Sequence, residues 1–180
     1  MLRTLDLFSG IGGFSLGLER TGGFKTVAFC EIEPFCQAVL RKHWPDVPIF
    51  EDIRELSADV VGPVDVVTGG FPCQDISNAG IRRGIDGPRS VLWRDHVRIV
   101  GSIRPKYTIL ENTASLSVRG AERVVRALAE VGYVSEWSVI SACSLGAPHP
   151  RSRMFIVAYP KSQWGEQCGR IKFKKGGNGS

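Results

Sequence analysis

Short runs of β-branched and aromatic residues recur along this chain, each giving way to glycine, proline or an acid before a helical stripe begins. Residues 4–8 precede Ser9-Gly-Ile-Gly-Gly-Phe-Ser-Leu-Gly17, whose glycines turn into a helix closing near Thr21-Gly22-Gly23. Residues 26–30 form a second strand ending at Glu31. Pro34 then suits the first turn of a helix with Phe35, Val39, Leu40 and His43 on one side. Residues 47–50 make a third strand ending at Glu51-Asp52, and residues 64–67 a fourth. Leu92, Trp93, His96, Val97, Val100 and Ile103 space a helix that Pro105 closes. A fifth strand, 107–110, ends at Glu111-Asn112, and Val124, Val125, Leu128 and Val131 mark a helix capped by Gly132. Residues 134–140 and 154–159 are the last two strands. This alternation predicts an α/β fold: a mostly parallel, doubly wound, seven-stranded sheet with helices on both faces. The 180 residues allow one domain with a real core.

In such a sheet, ligands bind beyond the carboxyl ends of the strands. The chemically interesting residues all fall there. Gly10 to Gly13 follow strand one, Glu31 strand two, Asp52 strand three, Cys73 strand four and Glu111 strand five. Gly10-x-Gly12 with an acid some twenty residues on resembles a dinucleotide fingerprint, in which glycines admit a ligand and the acid accepts ribose hydroxyls. Asp52 adds an acceptor suited to an adenine amino group, and the acidic surroundings suit a cationic ligand better than a pyrophosphate. In Gly69-Gly-Phe-Pro-Cys-Gln74 the two glycines predict a sharp turn, and Pro72 stiffens the backbone just before a thiol. A lone cysteine is more often packing than chemistry. Five coincidences at one rim reverse that balance for Cys73.

The net charge of +5 is unevenly spread. Residues 1–80 carry 6 Lys/Arg against 11 Asp/Glu, whereas residues 81–106 carry 7 against 2 and residues 161–180 carry 5 against 1. A basic segment following the candidate nucleophile points to a polyanion such as nucleic acid. Residues 76–90, rich in Gly, Arg, Asp and Ser, read as a mobile loop, with Arg82, Arg83 and Arg89 near phosphates. Five cysteines without a Cys-x-x-Cys pair suggest neither a disulfide framework nor a zinc ribbon, so no metal is expected. No apolar run approaches a membrane span, and a reducing cytoplasm is the expected compartment.

In this order, Asp6-Leu-Phe-Ser-Gly-Ile-Gly-Gly-Phe14, Gly70-Phe-Pro-Cys-Gln74, Glu111-Asn112 and Arg151-Ser-Arg153 resemble the cytosine-C5 DNA methyltransferases. The resemblance implies a Rossmann-like fold that binds S-adenosyl-L-methionine and methylates carbon 5 of a cytosine flipped from double-stranded DNA. By matching position, Phe8, Gly10 and Gly12 line the methionine end of the cofactor, and Glu31 holds the ribose. Ile32 packs on the adenine and Asp52-Ile53 bind its edge, with Phe71 and Leu92 as further cofactor contacts. Cys73 is then the nucleophile, Glu111 bonds the base at N3, and Arg153 clamps the flipped cytosine with Arg151 beside it. The chemistry agrees with these roles. Cytosine carbon 5 becomes nucleophilic only after addition at carbon 6, where a thiolate adds better than an alcohol. Flipping costs a few kcal/mol of unstacking and pairing.

The family pattern is departed from at His149, where a glutamine is usual, and at Thr113, where a valine is usual. The resemblance also implies a target-recognition region and a returning segment after strand seven. Residues 1–160 are therefore expected to be the catalytic and cofactor-binding domain, and 161–180 a polar basic tail opening a missing recognition region. The expected protein is a monomer of a prokaryotic or phage-encoded restriction-modification system, with recognition supplied by a missing segment or second chain. An inactive remnant, half of a split enzyme and a tRNA cytosine methyltransferase stand as alternatives.

Overall fold

The apolar runs become the strands of one sheet in a computed structural model that describes residues 1–72 and 92–163. These strands are β1 (Leu2–Leu7), β2 (Phe24–Cys30), β3 (Ile49–Phe50), β4 (Val66–Gly70), β5 (Tyr107–Thr113), β6 (Tyr133–Ser141) and β7 (Ser152–Pro160). Their order across the sheet is β3-β2-β1-β4-β5-β7-β6. The pairings β1–β2, β1–β4, β2–β3 and β4–β5 are parallel. β7 is inserted antiparallel between β5 and β6, so β6 again points with the first five strands. The order reverses between β1 and β4, which opens a crevice at their carboxyl ends.

Side chains alternate across a strand, so Thr68 and Gly69 face opposite ways. On the Thr68 side, buried Asp6 accepts from Thr68 Oγ1 at 2.8 Å and from Ser15 Oγ at 2.8 Å. Ser15 belongs to α1 (Gly13–Glu19), which these bonds fasten to β1 and β4. On the Gly69 side lies α4 (Trp93–Ile103), where His96 Nε2 shares a 2.7 Å hydrogen bond with Thr108 Oγ1 of β5. α6 (Ala121–Glu130) packs beside α4 and against β6. Helices therefore cover both faces. Trp93, Val97, Ile99 and Val100 of α4 are buried in the core, the three aliphatic ones each contributing about 1.5–3 kcal/mol by removal from water.

Three local expectations differ from the structure. Gly69 and Gly70 do not turn the chain: both are paired within β4, opposite Leu110 and Glu111 of β5. They are glycines because neighbours occupy the side-chain space, as a Cβ on Gly69 would stand 2.8 Å from His96 Nδ1 and 3.1 Å from the Leu7 carbonyl oxygen. β5 runs on to Thr113, so Glu111 sits within a strand rather than past its end. α2 (Pro34–His43) buries Gln37 and Leu40, whereas Phe35 is 70% exposed. The polar residue wins the inner position because Gln37 Nε2 donates to the Glu31 carbonyl at 2.7 Å and its Oε1 accepts from Arg41. The one-turn helices α3 (Ala58–Val61) and α5 (Leu116–Arg119) are too short to show a period in sequence. The expected loop at 76–90 and the basic tail from 164 onward lie outside the described residues. No helix among the described residues is long and apolar enough to cross a membrane.

Candidate active site

A cavity of about 420 Å³ opens at the carboxyl ends of β1 to β4, the side of the sheet that the strand order singles out. Phe8, Glu31, Ile32, Asp52, Ile53 and Leu92 line it. Cys30, Glu51, Arg54, Gly70 and Pro72 complete the wall. The volume falls within the range of small-molecule sites, and apolar sides with two or three convergent acids suit a cationic nucleoside derivative.

The chain leaves β1 under backbone strain. Phe8 has φ 52°, a left-handed conformation rare for a bulky residue. Gly10 follows at φ 55° and Gly12 at φ 90°. Around this turn Glu31 acts as a fixed post: its Oε2 accepts from the Gly10 amide at 2.7 Å and its Oε1 from the Glu33 amide at 2.8 Å. Both oxygens keep a further lone pair for a ligand hydroxyl. Gly12 is turned elsewhere, since a Cβ there would stand 2.6 Å from the Trp44 ring. Trp44 is itself tied to α1, donating from Nε1 to Glu19 at 2.9 Å. Asp52 begins a 3-10 turn (Ile53–Glu55) by accepting from the Arg54 amide, and also accepts from the Arg54 guanidinium. These hydrogen bonds hold its pKa down at about 2. Cys30 is a poor thiolate, since burial first and then Glu31 and Asp52 push it up to about 12.

Beside the cavity stands a second group of residues on β5 and β7. Glu111 and Phe155 face each other in the ladder, and Arg153 pairs with Thr113 two residues on, so Glu111 and Arg153 project to the same side. Arg153 Nε meets Glu111 Oε1 at 2.8 Å. Burial raises the Glu111 pKa, against the opposing pull of Arg153 and Arg151. Its neighbour Asn112 is buried and points the other way, donating from Nδ2 to the Phe71 carbonyl at 3.0 Å and accepting from the Thr113 amide at 2.8 Å. Asn112 thereby fastens the chain just after β4 to β5.

The structure thus brings six of the nine cofactor-site expectations, Phe8, Glu31, Ile32, Asp52, Ile53 and Leu92, onto one cavity. Gly10 reaches it through Glu31, Gly12 packs on Trp44, and Phe71 is buried with its carbonyl held by Asn112. Glu111 and Arg153 form one ion pair, and the exposed Arg151 acts on it through its charge. Cys73 lies outside the described residues, one position past Pro72 in the cavity wall. Gly70 borders the cavity from within β4 in place of the predicted turn, and Arg54 and the anchors Asp6 and Asn112 carry roles that their sequence positions do not show. Asp6 and Asn112 stand inside recognised motifs, but only packing distinguishes an anchor from a contact.

A family model described as C-5 cytosine-specific DNA methylase matches residues 2–175. Type II methyltransferase M.CviJI of Paramecium bursaria Chlorella virus IL3A is 39% identical over 162 residues, which cover 88% of this chain and 43% of that protein. Type II methyltransferase M2.BsuMI of Bacillus subtilis is 35% identical over 165 residues, covering 87% and 42% respectively. This chain thus spans less than half the length of these two relatives. Among solved structures, a candidate DNA modification methyltransferase encoded within an E. coli prophage superposes with TM-score 0.75 at 27% identity, covering 90% of this chain and 47% of that one.

Proposed function

Since this chain belongs to the C-5 cytosine-specific DNA methylase family, we propose that it carries the cofactor-binding and methyl-transfer residues of a DNA (cytosine-5-)-methyltransferase. The observation that supports this most is the junction at Gly70, which lines the cofactor cavity while Glu111 lies against its backbone. A methyl donor and a flipped base would share that wall.

Glu31 holds ribose hydroxyls with oxygens already oriented by two amides. Ile32, Ile53 and Leu92, which line the cavity, would enclose the adenine, and Asp52 would hold its amino edge. When bound, S-adenosyl-L-methionine supplies an electrophilic methyl group. Cys73 Sγ, as thiolate, adds to carbon 6 of the cytosine, and the π electrons move towards N3. Glu111 answers that charge by giving or sharing a proton at N3, a role that suits a carboxyl whose burial keeps its proton longer. Arg153 fixes the carboxyl in place through the 2.8 Å ion pair. Carbon 5 is thereby made nucleophilic towards that methyl group, whose donor would leave as the neutral thioether; passage of the C5 proton to a base, return of the N3 proton to Glu111 and expulsion of Sγ then restore the aromatic ring and the free thiolate.

The substrate is double-stranded DNA with its target base extruded, and a further segment or second chain supplies sequence recognition. A monomer acting in the cytoplasm beside a restriction activity is the setting this reading implies. Covalent trapping tests it. With S-adenosyl-L-methionine and the recognition segment supplied, DNA carrying 5-fluorocytosine, which cannot lose a proton from carbon 5, should give a denaturant-resistant complex with the parent protein and none with Cys73→Ala. Equal trapping by the two proteins would sink the assignment of Cys73. Trapping on fluorinated tRNA but not on DNA would transfer the reading to an RNA substrate.

A further inference from the structure

The cavity wall formed by Asp52, Ile53 and Arg54 rests on a single 3-10 turn, Ile53–Glu55, set between β3 and α3. One such turn has little stability of its own and leaves carbonyls exposed at its end. The Ile53 carbonyl accepts from the Leu56 amide within the turn, and α4 adds bonds to it and to the Leu56 carbonyl. Arg98 Nη2 donates to the Ile53 carbonyl at 2.6 Å and Nη1 to the Leu56 carbonyl at 2.9 Å, across 45 and 42 positions of sequence. Asp95, one helical turn earlier, holds the other side of the guanidinium, accepting from Nε at 3.2 Å. The same helix begins next to Leu92, which also lines the cavity. One element thus meets the cavity lining at Leu92 and braces it at the 53–56 turn, with the planar fork of an arginine spanning two carbonyls that a lysine ammonium cannot match.

We infer that Arg98, which does not itself line the cavity, is a positioning residue for the cofactor: it fixes the 53–56 turn so that Asp52 and Ile53 meet the ligand in one geometry. This rests on reading the cavity as the S-adenosyl-L-methionine site. Without Arg98 the turn samples several arrangements, and binding must select one of them.

The experiment is calorimetric titration of the protein with S-adenosylhomocysteine, alongside melting curves with and without that ligand. Arg98→Ala should raise Kd about tenfold, equivalent to about 1.4 kcal/mol. It should also shrink the ligand-induced rise in Tm while leaving the unliganded Tm within about 3 °C of the parent, the scale of a minor stability change. Arg98→Lys, able to reach one carbonyl, should recover part of the loss; it also carries the test if the alanine variant does not fold. Equal affinity of the parent and both variants overturns the inference while leaving the cofactor reading intact. A variant whose unliganded Tm falls steeply with no change in Kd overturns it as well, since Arg98 would then serve the fold alone. A parent protein that binds no S-adenosylhomocysteine overturns the cofactor reading and this inference with it.

Discussion

Glu111 lies against the bare backbone of Gly70: a Cβ built on that glycine would stand 2.8 Å from Glu111 Oε2. The two residues pair directly across β4 and β5, so the contact is set by ladder register and not by loop conformation. Gly70 also forms part of the cavity wall. One missing methyl group thus lets Glu111 and the cavity share a boundary.

Gly70→Ala should damage both halves of the site. The added methyl must displace a carboxylate that is pinned by Arg153, and overpacking of this kind costs about 1–3 kcal/mol. Expected results are weaker S-adenosylhomocysteine binding, a slower covalent trapping reaction with fluorinated DNA, and a lower melting temperature. An alanine variant with parental values in all three would show that Glu111 swings aside freely.

The ionisation of Glu111 should depend on Arg153 with a definite sign. Burial raises its pKa, and Arg153 and Arg151 oppose that rise. Arg153→Ala removes the nearer opposing charge, so the carboxyl should hold its proton to still higher pH. Carbon-13 NMR of labelled glutamate side chains can follow this, with Glu111→Gln identifying the signal. An unchanged titration in Arg153→Ala would mean that the 2.8 Å pair does not persist in solution.

Asn112 should prove a fastener of the segment that leads to Cys73. It is buried, and its Nδ2 holds the Phe71 carbonyl. Asn112→Asp keeps the size but replaces a donor with an acceptor facing a carbonyl, at a cost of about 1–3 kcal/mol for the unsatisfied group. Trapping on fluorinated DNA should slow more than cofactor binding weakens. Equal loss in both would instead indicate general destabilisation.

The sheet was legible because its signals are local. Each strand run has β-branched residues in sequence, and α4 and α6 announce their period, whereas the stripe read for α2 misses its buried Gln37. The acids at strand ends were legible for the same reason, and Glu31 and Asp52 do line one cavity. Residues defined by what lies across the sheet were not. Gly69 and Gly70 look like turn residues until His96 and Glu111 are seen filling their side-chain space. Gln37 looks like a solvent-facing helix residue until the Glu31 carbonyl is found beneath it. Arg98 reads as one more charge in a basic stretch, and nothing in spacing links it to carbonyls over 40 positions away.

Asp6 and His96, buried on opposite faces of the sheet, should impose opposing pH dependences on stability. Desolvation raises Asp6 to about 6, against hydrogen bonds from Thr68 and Ser15 that favour its charge. A raised carboxyl pKa stabilises the fold fully below the unfolded value of 3.8, and that contribution is lost as pH climbs through about 6, on the order of 3 kcal/mol in all. Desolvation lowers His96 to about 3. Its contribution is complete above the unfolded value of 6.5 and is lost as pH falls towards 3, on the order of 5 kcal/mol. Between roughly pH 4 and 6 the two slopes therefore oppose each other. Asp6→Asn should make stability rise more steeply with pH over that window than in the parent, and His96→Leu should tilt it the other way. Urea unfolding at half-unit pH steps measures both, and the slopes remain readable whatever the variants lose in absolute stability. Parallel curves for parent and variants would show that neither buried group changes its ionisation on folding.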